Sequence, residues 1–183
     1  TGCEVRVVRG DIADPDTARR LVAAAGDDLR GVLHTAVVLD DAPLGAMTGD
    51  RLARAWHPKV TGLVNLHHAT DGVPLDWLVV FPSMTAMLGN AGQANYAAAN
   101  AWVDAFARWR HDRGLPTLSV NRGAWGEAGR ATDFAARGFD TLSTADGFAA
   151  LTALLRHQRV NTGVLDYQPE VLFRAFPHAL DNP

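Results

Sequence analysis

The chain holds one cysteine, Cys3. That excludes an internal disulfide and any metal site built from cysteine pairs. Basic residues are not in excess: lysine and arginine number 17 against 20 aspartates and glutamates, for a net charge of −3. No basic block stands out, so the electrostatic footprint of a nucleic-acid binder is missing. No apolar run approaches the roughly 20 residues of a membrane-spanning helix. The opening residues Thr1-Gly2-Cys3-Glu4 carry no apolar signal-peptide core. We therefore expect a cytoplasmic chain that meets neither membrane nor nucleic acid. Seven histidines invite a metal reading, but His67 and His68 are adjacent and point different ways on a helix. No His-x-x-x-His pair occurs, so no metal is expected. Ser83 has no G-x-S-x-G elbow, which argues against a serine hydrolase.

What is present is one domain's worth of chain. At 183 residues and 48% hydrophobic, it can bury a sizeable core. Strand and helix patterns alternate. Glu4–Gly10 alternates and is rich in valine, a strand. Asp14 is placed to cap a helix with Pro15 at its first position, ending near Gly26. Gly31–Leu39 reads as the next strand and its exit. Thr48 caps a helix to Trp56, Pro58 interrupts it, and a second helix runs from Lys59 to Ala69. Trp77–Phe81 is a short, wholly apolar strand. A helix over Tyr96–Arg113 stops at Gly114-Leu115-Pro116. Thr117–Asn121 is a strand, Gly123–Gly129 a glycine-rich loop, and Ser143 with Asp146 resembles a capping box for a helix through Leu155. Thr162–Tyr167 is the last strand. Apolar rather than alternating strands between helices mark a parallel sheet covered on both faces, a doubly wound α/β fold.

The stretch from Phe81 to Asn100 organises the rest. Ser83 lies where a strand ends, Tyr96 where a helix begins, and Asn100 four residues on, along the same helix face. Strand ends of such sheets are where ligands bind. A phenol and a hydroxyl converging there can bind and protonate a carbonyl oxygen. Equally, Tyr96 can be a half-buried core tyrosine and Ser83 a turn cap. Trp102, Phe106 and Trp109 recur at helical spacing and read as core or interface.

The set His34–Asp41, Pro58–Gly62, Phe81-Pro82-Ser83 and Gly92–Asn100 resembles the ketoreductase domains of modular type I polyketide synthases, within the short-chain dehydrogenase/reductase superfamily. The resemblance runs in order over nearly the whole chain. It implies NADPH-dependent reduction of a β-ketoacyl thioester carried on the phosphopantetheine of an acyl carrier protein, with other synthase domains in cis. In that reading Tyr96 protonates the ketone oxygen, and Lys59, by its charge, draws the phenol's pKa down from about 10. Ser83 donates to the same oxygen, and Asn100 holds Lys59 or a water in a proton relay. Asp11, Ile12, Thr35, Ala36, Val37, Lys59, Tyr96 and Gly123 are the implied cofactor wall. Leu39-Asp40-Asp41 resembles the motif of B-type ketoreductases, which implies a D-hydroxy product, with Leu39, Asp41 and Gln93 orienting substrate. Leu88 stands where the A-type tryptophan is expected, and Ala98 is not the proline of epimerising domains.

The chain departs from that family in several ways. No glycine-rich turn between a first strand and first helix is seen. Residues 1–183 therefore read as the C-terminal major part of a catalytic subdomain, its first strand matching the family's third. Roughly 40–60 residues of the first βαβ unit are expected elsewhere, as a partner segment. The sheet is then expected to have an open edge, and this piece alone is expected to be inactive. Val37 replaces a small residue beside the cofactor, Pro82 a serine, and Arg122 a tryptophan. Gly126 and Gly129, with Gly123, are expected at the nicotinamide end or in a substrate lid. The departures leave a second possibility, a ketoreductase-like scaffold without activity. A free-standing reductase of small molecules is a third.

Overall fold

The run Trp77-Leu78-Val79-Val80 lacks a polar position because both faces of its strand are covered. In the computed structural model, which describes residues 2–123, 139–157 and 159–175, Leu78, Val79 and Val80 are fully buried. Leu78 and Val80 pack with Val60, Leu63, Ala99, Val103 and Ala107. Val79 packs on the opposite side with Leu118, Val120 and Leu154. Each such side chain contributes about 1.5–3 kcal/mol by leaving water.

Four strands, β1 (Gly31–His34), β2 (Trp77–Val80), β3 (Thr117–Arg122) and β5 (Asn161–Val164), run parallel in the order β1-β2-β3-β5. A separate antiparallel pair joins β4 (Phe139–Asp140) and β6 (Asp166–Tyr167). The helices are α1 (Pro15–Ala25), α2 (Gly49–Trp56), α3 (Gly62–Ala69), α4 (Thr85–Leu88), α5 (Ala94–His111), α6 (Thr144–His157) and α7 (Pro169–Ala175). Residues of α3 and α5 cover one sheet face and those of α6 the other. This is the doubly wound arrangement the sequence predicts.

Local signals act as expected at several helix ends. Asp14 accepts from the Asp16 N–H and Thr48 from the Arg51 N–H. Ser143 accepts from the Asp146 N–H at 3.1 Å, while its hydroxyl donates to the Asp146 carboxylate. These bonds satisfy N–H groups that a helix start leaves orphaned. Trp102, Phe106 and Trp109 stack in a row along α5, with centroids 4.9 and 5.2 Å apart. Trp102 and Phe106 pack against the core.

The structure corrects other expectations. Glu4–Gly10 forms no strand: no β-pairing joins it to another segment among the described residues, and Val5 and Val7 are 81% and 78% exposed. Alternation is a local preference, whereas a strand exists only through a neighbour. Pro58 does not separate two helices. Residues His57–Thr61 widen into a π turn that makes α2 and α3 continuous. Proline lacks an N–H and crowds the carbonyl four residues back, and a wider turn relieves both. The segment after Ser83 holds the single helical turn α4, Thr85–Leu88, before the chain loops through Gly89, Asn90 and Gly92. Residues 162–167 are not one strand but β5 and β6, in different sheets. An apolar run does not state which partners it will find. Of the glycine-rich loop, Ala124–Gly129 lies outside the described residues.

His34 ends β1 and is 5% exposed, its Nε2 donating to the Lys59 carbonyl at 2.9 Å. Burial holds its pKa below the usual 6.5. The unfolded chain takes up this proton near pH 6.5 and the native state does so only lower. Stability should therefore fall as pH drops below about 6.5, until the folded pKa is passed. His34→Gln keeps an N–H donor without the titration. Melting temperature against pH should fall less steeply in that variant, with a residual slope from His67, whose pKa burial also lowers.

Candidate active site

Because β1, β2 and β3 are parallel, their exits gather at one end of the sheet: Thr35–Val37, Phe81–Ser83 and Gly123. The start of α5 and the π turn reach the same place. The π turn presents Lys59 inward, where the residue is only 4% exposed. Its Nζ donates to the Phe81 carbonyl at 2.8 Å and lies 5.5 Å from the centroid of the Tyr96 ring. Lysine and tyrosine stand far apart in sequence, and only the sheet end joins them.

A buried ammonium is disfavoured against a neutral amine. Burial first, and the nearby Arg122 guanidinium second, push the Lys59 pKa down from 10.5 to about 8, with Asp104 opposing. Asp104 is one of several polar residues in the core that sequence reading missed. Its carboxylate accepts from the Ser119 hydroxyl at 2.6 Å and from Asn121 Nδ2 at 2.8 Å. Burial raises its pKa against those bonds. The missed signal was periodicity: Tyr96, Asn100 and Asp104 recur every four residues along α5. Ser119 and Asn121 likewise alternate with Leu118 and Val120 along β3.

Asn100 is fully buried and donates from Nδ2 to the Tyr96 carbonyl at 2.7 Å. It does not bond Lys59. Its Oδ1 has no partner among the described residues, so one acceptor remains beside the tyrosine's own turn. Ser83 pairs with Arg122 in a bridge that prolongs the β2–β3 alignment. Pro82 is buried, and no peptide bond among the described residues is cis. The Ser83 hydroxyl shares a hydrogen bond with Thr85 at 3.0 Å and accepts from the Thr85 N–H. It thus meets the first N–H of α4 and stands at the strand exit.

Ahead of Tyr96, Asp41 Oδ2 accepts from Gln93 Nε2 at 2.9 Å, so two predicted substrate-orienting residues touch. Leu39 lies half-buried in the same segment. Asp40 pairs with Arg51 and Arg54 of α2.

A ketoreductase (KR) domain family model matches residues 1–127. The chain belongs to the ketoreductase domains of polyketide synthases. It is 43% identical over 180 residues to a phenolphthiocerol/phthiocerol polyketide synthase of Mycobacterium tuberculosis (strain CDC 1551 / Oshkosh), covering 97% of this chain and 10% of that protein. It is 48% identical over 165 residues to a mycocerosic acid synthase-like polyketide synthase of Mycobacterium tuberculosis (strain ATCC 25618 / H37Rv), covering 88% of this chain and 8% of the relative. This ketoreductase therefore spans no more than a tenth of the length of these curated relatives. The first ketoreductase of the tylosin polyketide synthase superposes with a TM-score of 0.88 at 35% identity, over 98% of this chain and 40% of that one. An A-type ketoreductase from a modular polyketide synthase gives 0.91 at 33%, over 96% and 39%.

The predicted cofactor-wall residues are spread over the turn at Asp11, the exit of β1, the π turn, the start of α5 and Gly123. Ile12 and His34 both approach Gly62, where an added Cβ would lie 2.7 Å from the isoleucine. Asp11 sits in the adjoining turn, where its Oδ1 accepts from the Ala13 N–H at 2.9 Å. Thr35 and Val37 are exposed and Ala36 half-buried, so the strip beyond β1 is open. Val37, at 48% exposure, borders that strip instead of filling it. Gly123 closes the far side, its N–H donating to the Val164 carbonyl at 2.8 Å. Gly126 and Gly129 lie outside the described residues. Among the described residues, no three histidines, cysteines or carboxylates gather as metal ligands. Nor is any described helix long and apolar enough to cross a membrane.

Lys59 carries a stability cost. Between about pH 8 and 10.5 the unfolded chain holds its proton and the native state does not, so stability should rise with pH across that window. In Lys59→Met that rise should vanish, and stability near neutrality should equal or exceed that of the unsubstituted protein. Urea unfolding at several pH values checks this. A Lys59→Met protein that keeps the full rise would show that another group causes it.

Proposed function

We propose that this ketoreductase reduces a β-ketoacyl thioester on an acyl carrier protein to the D-β-hydroxyacyl thioester, using NADPH, during chain elongation in the cytoplasm. The observation that carries the reading is the buried Lys59 ammonium lodged against Tyr96 at the sheet's carboxyl end. A ketone gaining a hydride leaves charge on oxygen, and a donor positioned beforehand stabilises it. Tyr96 would supply the proton to that oxygen. Lys59, held in place by the Phe81 carbonyl, would stabilise negative charge on the phenol as its proton leaves. Ser83 would turn its hydroxyl from Thr85 toward the same oxygen. The orphan Oδ1 of Asn100 is suited to accept from a water that returns the proton.

Exposed Thr35 and Val37 beyond β1, Lys59 and Gly123 lie at the same sheet end, which suits part of a dinucleotide. Asp11, Ile12, Thr35, Ala36 and Val37 would line the nucleotide, and Lys59 and Tyr96 the nicotinamide end. When bound, NADPH supplies the hydride. Leu39-Asp40-Asp41 supports the D outcome as the local B-type signature, with Leu39, Asp41 and Gln93 orienting the substrate. Overall shape does not separate the types, since solved neighbours include A-type and C2-type ketoreductases. The curated relatives are far longer than this chain, which supports other synthase domains acting in cis, the acyl carrier protein among them.

A scaffold without activity draws support from one feature, Arg122 beside Lys59, which adds positive charge where the catalytic lysine must stay protonated. The two readings separate in the parent polypeptide. With a β-ketoacyl thioester, NADPH oxidation should fall by about a hundredfold or more in Tyr96→Phe, while NADPH binding by titration stays within about twofold. An unsubstituted protein that neither binds NADPH nor turns over would establish the scaffold reading instead.

A further inference from the structure

The segment Leu39–Ala42 belongs to no helix or strand, yet three ties hold it to the start of α5. Gln93 Nε2 donates to Asp41 Oδ2 at 2.9 Å, the Ala42 N–H to the Gly92 carbonyl at 2.8 Å, and Asn95 Nδ2 to the Asp40 carbonyl at 2.8 Å. They are not equivalent. The Gln93–Asp41 bond is exposed and competes with water, whereas Asn95 is 1% exposed. Breaking a buried bond strands its partners away from solvent.

Asn95 also commits the rest of its carboxamide. Its Nδ2 donates a second time, to the Arg51 carbonyl at 3.1 Å, and its Oδ1 accepts from the Tyr96 N–H at 2.8 Å. One side chain thus joins the loop, α2 and the backbone of the tyrosine. Asp40 strengthens the same frame. Its carboxylate, only 15% exposed, pairs with Arg51 and Arg54, which makes it a strut and leaves Asp41 and Gln93 to face the substrate.

We infer that Asn95 is a positioning residue that sets which face of the ketone is reduced, by locking Asp41 and Gln93 against Tyr96. The inference rests on the ketoreductase reading. The two faces of a ketone exchange when the substrate turns over in the site. Discrimination therefore needs the orienting groups to be rigid relative to the proton donor. A slip of about 1 Å is enough to degrade such a geometry.

The test uses the parent polypeptide with a β-ketoacyl N-acetylcysteamine thioester, and separates the two alcohol enantiomers by chiral chromatography. In Asn95→Ala the minor enantiomer's share should rise by about tenfold. The thioester KM should rise with it, while the Kd for NADPH stays within about twofold. Asn95→Ser retains one donor and should fall between, and it serves if the alanine variant does not fold. Val103→Ala, a cavity in the α5 core, provides a matched loss of melting temperature and should leave the enantiomer ratio unmoved. An unmoved ratio in both Asn95 variants overturns the inference. So does a ratio moved equally by Val103→Ala, since stability alone would then explain it. If the unsubstituted protein forms no alcohol at all, the ketoreductase reading fails and takes this inference with it. Alcohol formed with an unmoved ratio overturns the inference alone.

Discussion

A lysine sealed inside a protein is costly, and much of this fold is arranged around tolerating one. Taking an ammonium out of water costs several kcal/mol even after relaxation. Around Lys59 that cost is met by the Phe81 carbonyl at 2.8 Å, the face of the Tyr96 ring at 5.5 Å and the more distant charge of Asp104. The π turn and the His34 bond to the Lys59 carbonyl hold the backbone that delivers it. The balance remains unfavourable to the charge, which is why the pKa falls to about 8. At neutral pH the lysine still keeps its proton, by a smaller margin than a solvated lysine has.

The same logic explains why the face of α5 that meets β3 is polar. Asp104, Ser119, Asn121 and Asn161 are linked by hydrogen bonds between 2.6 and 3.0 Å. An apolar filling would pack as well and contribute more stability. The polar one supplies a negative charge behind the lysine and orients the helix that carries Tyr96 and Asn100. The Oδ1 atoms of Asn100 and Asn121 have no partner among the described residues, a tension typical of sites kept for function.

Much of the architecture was legible because it follows local rules. Asp14, Thr48 and Ser143 cap helices since each places an oxygen where helix N–H groups are orphaned. Trp77–Val80 is apolar throughout because its strand is covered twice. Two of the errors share a cause. Glu4–Gly10 has strand composition but no strand partner among the described residues, and residues 162–167 have two neighbours in different sheets; each outcome depends on a partner distant in sequence. Pro58 reads locally as a break, yet its helix widens and continues.

The site divides along the same line. Residue order alone was enough to say which groups are available and roughly where each sits: Ser83 at a strand end, Tyr96 and Asn100 one helical turn apart, Lys59 beside a proline. Those follow from period and from local stereochemistry. What each group then does came from the packed chain. Packing turned Asn100's amide to its own helix and buried Lys59 against a carbonyl. It also recruited Asp104 behind the lysine and tied Asn95 to three backbone partners. Burial and hydrogen-bond partnership are properties of packed neighbours. A one-dimensional pattern records which face a residue occupies, not what lies across from it.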